Sequence, residues 1–172
     1  MHMLITLHLA FLRVCLLRTL PQDLPHQLFF FKLICGYYFV IQMVWGALQG
    51  VKISAAPFFA LVSLFLIAFI VWLLLLVVNH RQRFIQTMIA LLGVYCIIDL
   101  SRSILLIWLQ YAEDNTLGKA IPALLFIIAT LWTWIAQGHV LRHALSIDFV
   151  AALIVSILIY IMNFSTLSSI FF

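Results

Sequence analysis

The sequence consists mainly of long apolar runs that alternate with short polar connections. Five runs follow residue 27, and each has the roughly 20 residues that an α-helix needs to cross a bilayer core of about 30 Å. The connections contain VKISA, NHRQR, AEDNTLG and GHVLRH, and their shortness predicts that neighbouring helices run antiparallel. The predicted helices span residues 28–49, 56–78, 84–111, 119–138 and 147–171.

The pattern within the runs favours helices over a transmembrane barrel. Residues 59–78 read FALVSLFLIAFIVWLLLLVV and are apolar on all sides, whereas barrel strands alternate apolar and polar positions. Overall, 67% of the residues are hydrophobic and only 8% are charged, which excludes a water-soluble fold. The sequence therefore predicts an all-α integral membrane protein in which residues 28–172 form one transmembrane bundle.

Residues 1–27 differ from the rest of the chain. Arg13 and Arg18 interrupt the first apolar stretch, and no small-residue cleavage site follows, so we expect this segment to be retained rather than removed as a signal peptide. Arginines among leucines are typical of a helix that lies in the membrane interface. Pro21 and Pro25 then predict a rigid connector before the first crossing.

The distribution of lysine and arginine predicts the orientation of the chain. The side that carries the N-terminus has five cationic residues, and the opposite side has two, Lys52 and Lys119. Since cytoplasmic loops are enriched in such residues, the N-terminus is predicted in the cytoplasm and the C-terminus outside, in a bacterial cytoplasmic (inner) membrane. The five residues expected to set topology and contact lipid headgroups are Arg13, Arg18, Arg81, Arg83 and Arg142.

Two opposite charges, Asp99 and Arg102, lie within the third run, where a charged side chain is costly. If the helix is continuous, the pair lies near the middle of the bilayer, and a break around residues 100–103 would place it near the outer interface. The i,i+3 spacing places both side chains on one helical face. Either they form an ion pair that fixes helix packing, or they line a path or site for a charged or polar solute.

Other polar and small residues suggest packing rather than chemistry. Gly36, Gly46 and Gly50 are predicted to form a small-residue face that lets another helix approach closely, and Asn163 is predicted to form hydrogen bonds between helices. The histidines give only weak metal candidates. His139 and His143 have the i,i+4 spacing of metal ligands, and His80 and His26 are expected on the same side, but too few further ligands accompany them. We therefore expect no metal and no cofactor.

Functional hypotheses from the sequence rest largely on exclusion. The chain has no catalytic motif and no cluster of basic residues for nucleic acid, so we predict neither an enzyme nor a nucleic-acid-binding protein. The leading hypothesis is a non-catalytic assembly, scaffolding or accessory subunit whose partners are the bilayer and other membrane subunits or further copies of itself. The alternative is a small transporter or channel that uses Asp99 and Arg102. A haem or metal redox protein that uses the histidines is the third.

Overall fold

The computed structural model describes residues 11–18, 27–112 and 116–172, except for the side chains of residues 116 and 117. Within these ranges the chain is helical and contains no β-strand. Five of its helices are long and apolar enough to span a membrane. In chain order they are α1 (Leu28–Leu48), α2 (Ala56–Val77), α3 (Phe84–Tyr111), α4 (Thr116–Leu145) and α5 (Phe149–Phe171), with a short 3₁₀ helix, Arg81–Arg83, ahead of α3.

The structure decides whether α3 is continuous, which the sequence left open, and it changes the predicted bounds of α4. α3 is one continuous helix of 28 residues, so it does not break around residues 100–103. α4 begins before residue 119 and continues past residue 138 to Leu145, because polar residues extend it beyond the apolar stretch. The predicted GHVLRH connection is therefore wrong, and Pro122 lies inside the helix. The Asp148 carboxylate then caps α5 by accepting a hydrogen bond from the backbone N–H of Ala151 (3.1 Å).

α3 is the central helix of the bundle. It has 67% of its most apolar stretch buried, against 22–28% for the other four helices. It packs between α1 and α4, while α5 packs on α4 and α2 packs on α1. Large apolar side chains point outward along the peripheral helices, as expected where lipid covers the surface. Examples are Val40, Phe65, Ile128 and Ile161.

The three glycines predicted to form a packing face lie in different surroundings. A Cβ at Gly46 would come within 2.9 Å of the Phe59 ring, so this glycine lets α2 approach α1 closely. Gly36 has no heavy atom of the described residues within 4 Å of a Cβ built on it. Gly50 lies beyond the end of α1 with φ of +97°, where glycine is favoured. Of these three glycines, only Gly46 makes a close contact with another described helix, and Gly50 lies outside α1, so the structure does not bring the three together in one contact within the bundle.

The backbones of α4 and α5 approach each other closely at Gly138. A Cβ at Gly138 would lie 3.2 Å from the Cα of Leu153, a backbone atom that cannot rotate away. The Ser156 hydroxyl donates to the backbone carbonyl of Trp134 across the same interface (2.9 Å). The structure thus places a tight helix contact at a glycine that the sequence pattern did not single out.

The described part of the N-terminal segment packs against the bundle. Residues 11–15 are helical, and Phe11, Val14 and Cys15 are buried. The ring of Phe11 occupies the space that a side chain at Gly93 would fill, and Trp132 donates its indole N–H to the carbonyl of Cys15 (3.0 Å).

The segment docks on the sides of α3 and α4, and its predicted position in the membrane interface stays a prediction. Gly93 lies about 14 Å along α3 at 1.5 Å per residue, well inside the helix. Arg13 and Arg18 remain exposed. The rest of residues 1–27, which includes His26 and the two prolines, lies outside the described residues.

The arginines expected to set topology have two kinds of environment. Arg81 and Arg142 are exposed like Arg13 and Arg18, whereas Arg83 is half-buried. Its Nη1 donates to the carbonyls of His143 (3.2 Å) and Ala144 (3.4 Å) and to the hydroxyl of Ser146 (3.0 Å). Arg83 therefore neutralises the carbonyl end of α4, where a cation is favoured, and fixes the turn into α5.

Candidate ligand pocket between the helices

Asp99 and Arg102 form a buried ion pair in the middle of α3. The Arg102 Nη1 donates to Asp99 Oδ1 at 3.0 Å, and Asp99 is only 3% and Arg102 only 4% exposed. At 1.5 Å per residue, Asp99 lies about 22 Å from the first residue of α3 and about 18 Å from the last. The continuous α3 thus keeps the pair far from both of its ends, and in a helix that crosses a membrane this is the region where uncompensated charges are most costly.

Neighbouring helices supply further partners for both charges. Gln42 of α1 donates its Nε2–H to Asp99 Oδ2 (2.8 Å), so each carboxylate oxygen accepts one hydrogen bond from a side chain. Arg102 Nη2 donates to the hydroxyl of Tyr160 in α5 (3.1 Å). The ion pair thereby connects three helices, although the sequence analysis identified neither Gln42 nor Tyr160.

Aromatic rings surround the guanidinium of Arg102. Its Cζ lies 4.6 Å from the ring centroid of Trp45, 4.9 Å from that of Phe126 and 5.8 Å from that of Tyr160. The rings of Trp45 and Phe126 are nearly parallel, with 13° between their planes. Attraction between a cation and aromatic faces contributes about 0.5–2 kcal/mol per favourable contact, so these rings offset part of the cost of burying Arg102.

A second network of polar groups connects α1, α2 and α5. The hydroxyls of Tyr38 and Ser63 are hydrogen-bonded at 2.7 Å. Asn163 donates its Nδ2–H to the Ser63 hydroxyl (3.2 Å) and lies 3.3 Å from the Ser63 carbonyl. Asn163 thus makes the contacts between helices that its position in α5 suggests.

Both networks border one cavity of about 540 Å³. Its inner part is lined by Tyr38, Tyr95 and the ion pair, and its outer part by side chains near the C-terminal ends of three helices. These outer residues include Gln49 directly after α1, Gln110 of α3 and Ser168 of α5. The cavity therefore extends from the middle of the bundle to one end, and its volume lies within the range of small-molecule pockets.

The cavity lining is electrically neutral overall. Among its described lining residues, Asp99 and Arg102 are the only ones with charged side chains, and they neutralise each other. The other polar groups are amides and hydroxyls, while leucines, phenylalanines and Trp45 supply apolar wall. This mixture can bind a molecule through a few directed polar contacts and a larger apolar contact area.

The histidine candidates lie elsewhere. The rings of His139 and His143 meet edge to face with centroids 4.9 Å apart, toward the C-terminal end of α4. His80 precedes α3 at the same end of the bundle. Among the described residues, no three His, Cys, Asp or Glu side chains come together in a group that could hold a metal ion.

A periodic signal in the sequence could have identified the pocket. In α1, Tyr38, Gln42, Trp45 and Gln49 recur at intervals of three and four residues, which places them on one helical face. Their polar atoms are spread through an otherwise apolar run, so the pattern is less conspicuous than a pair of charges. In α3 the same spacing relates Tyr95, Asp99, Arg102, Leu106 and Gln110, which all line the cavity.

Comparisons of the chain with protein-family models, with curated proteins and with solved structures find no match.

Proposed function

We propose that this chain is a multi-pass protein of a bacterial cytoplasmic membrane that binds a small solute in the pocket between its helices, as a transporter or channel does. Its N-terminus lies in the cytoplasm and its C-terminus outside, so the pocket opens away from the cytoplasm. Five apolar helices and outward-facing apolar side chains support the membrane location. The excess of arginine on the N-terminal side supports the orientation.

The observation that carries the proposal is a buried ion pair on the wall of a cavity of about 540 Å³. Each charge at the centre of a membrane helix costs about 2.5–3.5 kcal/mol on insertion scales. An ion pair that served only to join helices would best be enclosed by packed side chains on every side. Asp99 and Arg102 are almost fully buried, but they also line a cavity that leads to the end of the bundle.

The accessory-subunit hypothesis receives no specific support from these contacts. Besides the exclusion of other functions and the small extramembrane mass, it rested on the idea that Asp99, Arg102 and Asn163 need protein neighbours. The neighbours are present within the chain, because Gln42 and Tyr160 contact the ion pair and Ser63 contacts Asn163. The hypothesis stays a prediction from the sequence.

The proposal can be tested by the reactivity of single cysteines along α3. Leu106 lines the pocket. Ile104 and Ile107, at nearly the same height along α3, are 62% and 42% exposed on the surface of the bundle. In sealed vesicles in which the proposed outer face of the protein points outward, we expect the thiol introduced by Leu106→Cys to react with a membrane-impermeant reagent. We expect Ile104→Cys and Ile107→Cys to react more slowly, because lipid covers them.

The wild-type chain measures the background from its own cysteines, of which Cys15 and Cys96 are buried and Cys35 is partly buried. Equal rates for the three variants would show that no water-filled pocket distinguishes this face, and would overturn the proposal. Reaction of Leu106→Cys only in vesicles of the opposite orientation would overturn the proposed direction of the opening.

A further inference from the structure

The charges on the pocket wall indicate which class of solute can bind. The side chains of the lining described above include one anion and one cation, so they offer no surplus charge to a ligand. A ligand with a net charge would remain uncompensated in an environment of low polarity, which is costly. A ligand with no net charge avoids this cost.

Both members of the ion pair retain capacity for further hydrogen bonds. A carboxylate can accept about four, and Asp99 accepts two from side chains, those of Gln42 and Arg102. A guanidinium has five N–H donors, and Arg102 uses one on each terminal nitrogen. Its buried Nε–H has no acceptor among the described residues. A ligand can therefore contact both residues without separating them.

The unused hydrogen-bonding positions of Asp99 and Arg102 favour a ligand that carries one positive and one negative group. A cationic group is attracted to the carboxylate of Asp99, while an anionic group is attracted to the guanidinium of Arg102. Because Asp99 and Arg102 are themselves in contact at 3.0 Å, the two ligand charges must lie only a few bonds apart. The walls formed by Leu106, Phe164 and Phe126 suit an apolar remainder.

We propose that the pocket binds a zwitterion, with an ammonium group directed at Asp99 and a carboxylate or phosphate directed at Arg102. This inference rests on the proposed solute-binding function. Two sources share the required chemistry: a free amino acid with an apolar side chain, and the headgroup of an ethanolamine phospholipid.

The test measures the rate at which an uncharged reagent modifies the thiol introduced by Leu106→Cys, with and without added ligand. The protein is reconstituted in vesicles of phosphatidylglycerol, and phenylalanine is compared with two analogues that each lack one charge, phenylpropanoate and phenethylamine. We expect phenylalanine to slow modification several-fold and each analogue to have little effect. In a second arm, phosphatidylethanolamine is included in the bilayer without added solute, and protection there identifies the lipid headgroup as the source.

A matched variant shows whether the ion pair causes the protection. Asp99→Asn combined with Arg102→Gln keeps a polar side chain at each position and removes both charges, so protection should disappear while the thiol introduced by Leu106→Cys still reacts. Equal protection by a singly charged analogue, or no protection in either arm, would overturn the zwitterion inference. An introduced thiol that does not react from the outer face would instead refute the pocket itself, so the two failures are distinguishable.

Discussion

The ion pair in α3 predicts that its two charges are strongly coupled in stability. Asp99→Asn preserves the size of the side chain and an oxygen that can accept from Gln42, but it leaves Arg102 as a buried cation without its counter-ion. Arg102→Gln leaves the Asp99 carboxylate with Gln42 as its remaining side-chain donor and removes the contacts with Trp45 and Phe126.

Removing one partner of a buried ion pair typically costs about 3–5 kcal/mol, because the remaining charge is uncompensated. Asp99 is 3% and Arg102 is 4% exposed, so little solvent screens the effect. We therefore expect each single variant to lose about 3 kcal/mol or more of unfolding free energy. The double variant Asp99→Asn/Arg102→Gln contains no buried charge and should lie within about 1–2 kcal/mol of the wild type.

The assay is a double-mutant cycle on the purified protein in detergent micelles, with unfolding followed by circular dichroism during titration with a denaturing detergent. Ser101→Ala on the exposed side of the same helix is the control, and we expect a change below about 0.5 kcal/mol. A coupling energy above about 2 kcal/mol agrees with the structure. Additive effects of the two substitutions would refute the conclusion that Asp99 and Arg102 neutralise each other.

Three further predictions concern packing and the connections between helices. Gly138→Ala should lower the unfolding free energy by about 1–3 kcal/mol, because the added Cβ meets the backbone of α5. In Gly36→Ala the added Cβ meets no described atom of another helix within 4 Å, so this variant should be neutral or stabilised by up to about 1 kcal/mol. Thermal unfolding of the pair measures this difference, and equal effects would contradict the close contact. Arg83→Gln should accelerate amide hydrogen exchange in residues 143–148, because it removes hydrogen bonds to His143, Ala144 and Ser146. The control Arg81→Gln changes an exposed position and should leave exchange unchanged. Unchanged exchange in both variants would argue against the Arg83 cap. Phe11→Ala should destabilise the protein by about 3 kcal/mol or more, because it empties the space beside Gly93. Leu12 is 43% exposed, so Leu12→Ala should cost much less, and a similar loss of unfolding free energy in both variants would show that Phe11 does not fill that space.

The sequence predicted the helical class and the number of long helices because lipid imposes simple requirements on both. A crossing segment needs a minimum apolar length, and all five runs meet it. Helix ends were harder to predict where polar residues continue a helix past its apolar part. α4 illustrates this, because its polar final turns continue to Leu145 and are fixed there by Arg83 from a different part of the chain.

The candidate site was predictable only in part. Asp99 and Arg102 stood out because charges are rare in such segments and their spacing is local. Gln42, Tyr160 and Phe126 could not be assigned to them, since these residues come from other helices, and one apolar run does not specify which face meets which neighbour. The positions of the glycines show the same limit, because a close approach depends on the partner surface, as between Gly138 and Leu153.

The docking of residues 11–15 on α3 and α4 has a consequence for the order of events during synthesis. Cys15 leaves the ribosome long before its hydrogen-bond donor Trp132, which follows it by 117 positions. Its binding surface is complete only after α4 has been made and has packed against α3. Residues 11–15 are therefore synthesised before α4 but reach their final place after it, and a substitution that prevents their docking would interfere with the completion of the bundle rather than with its start.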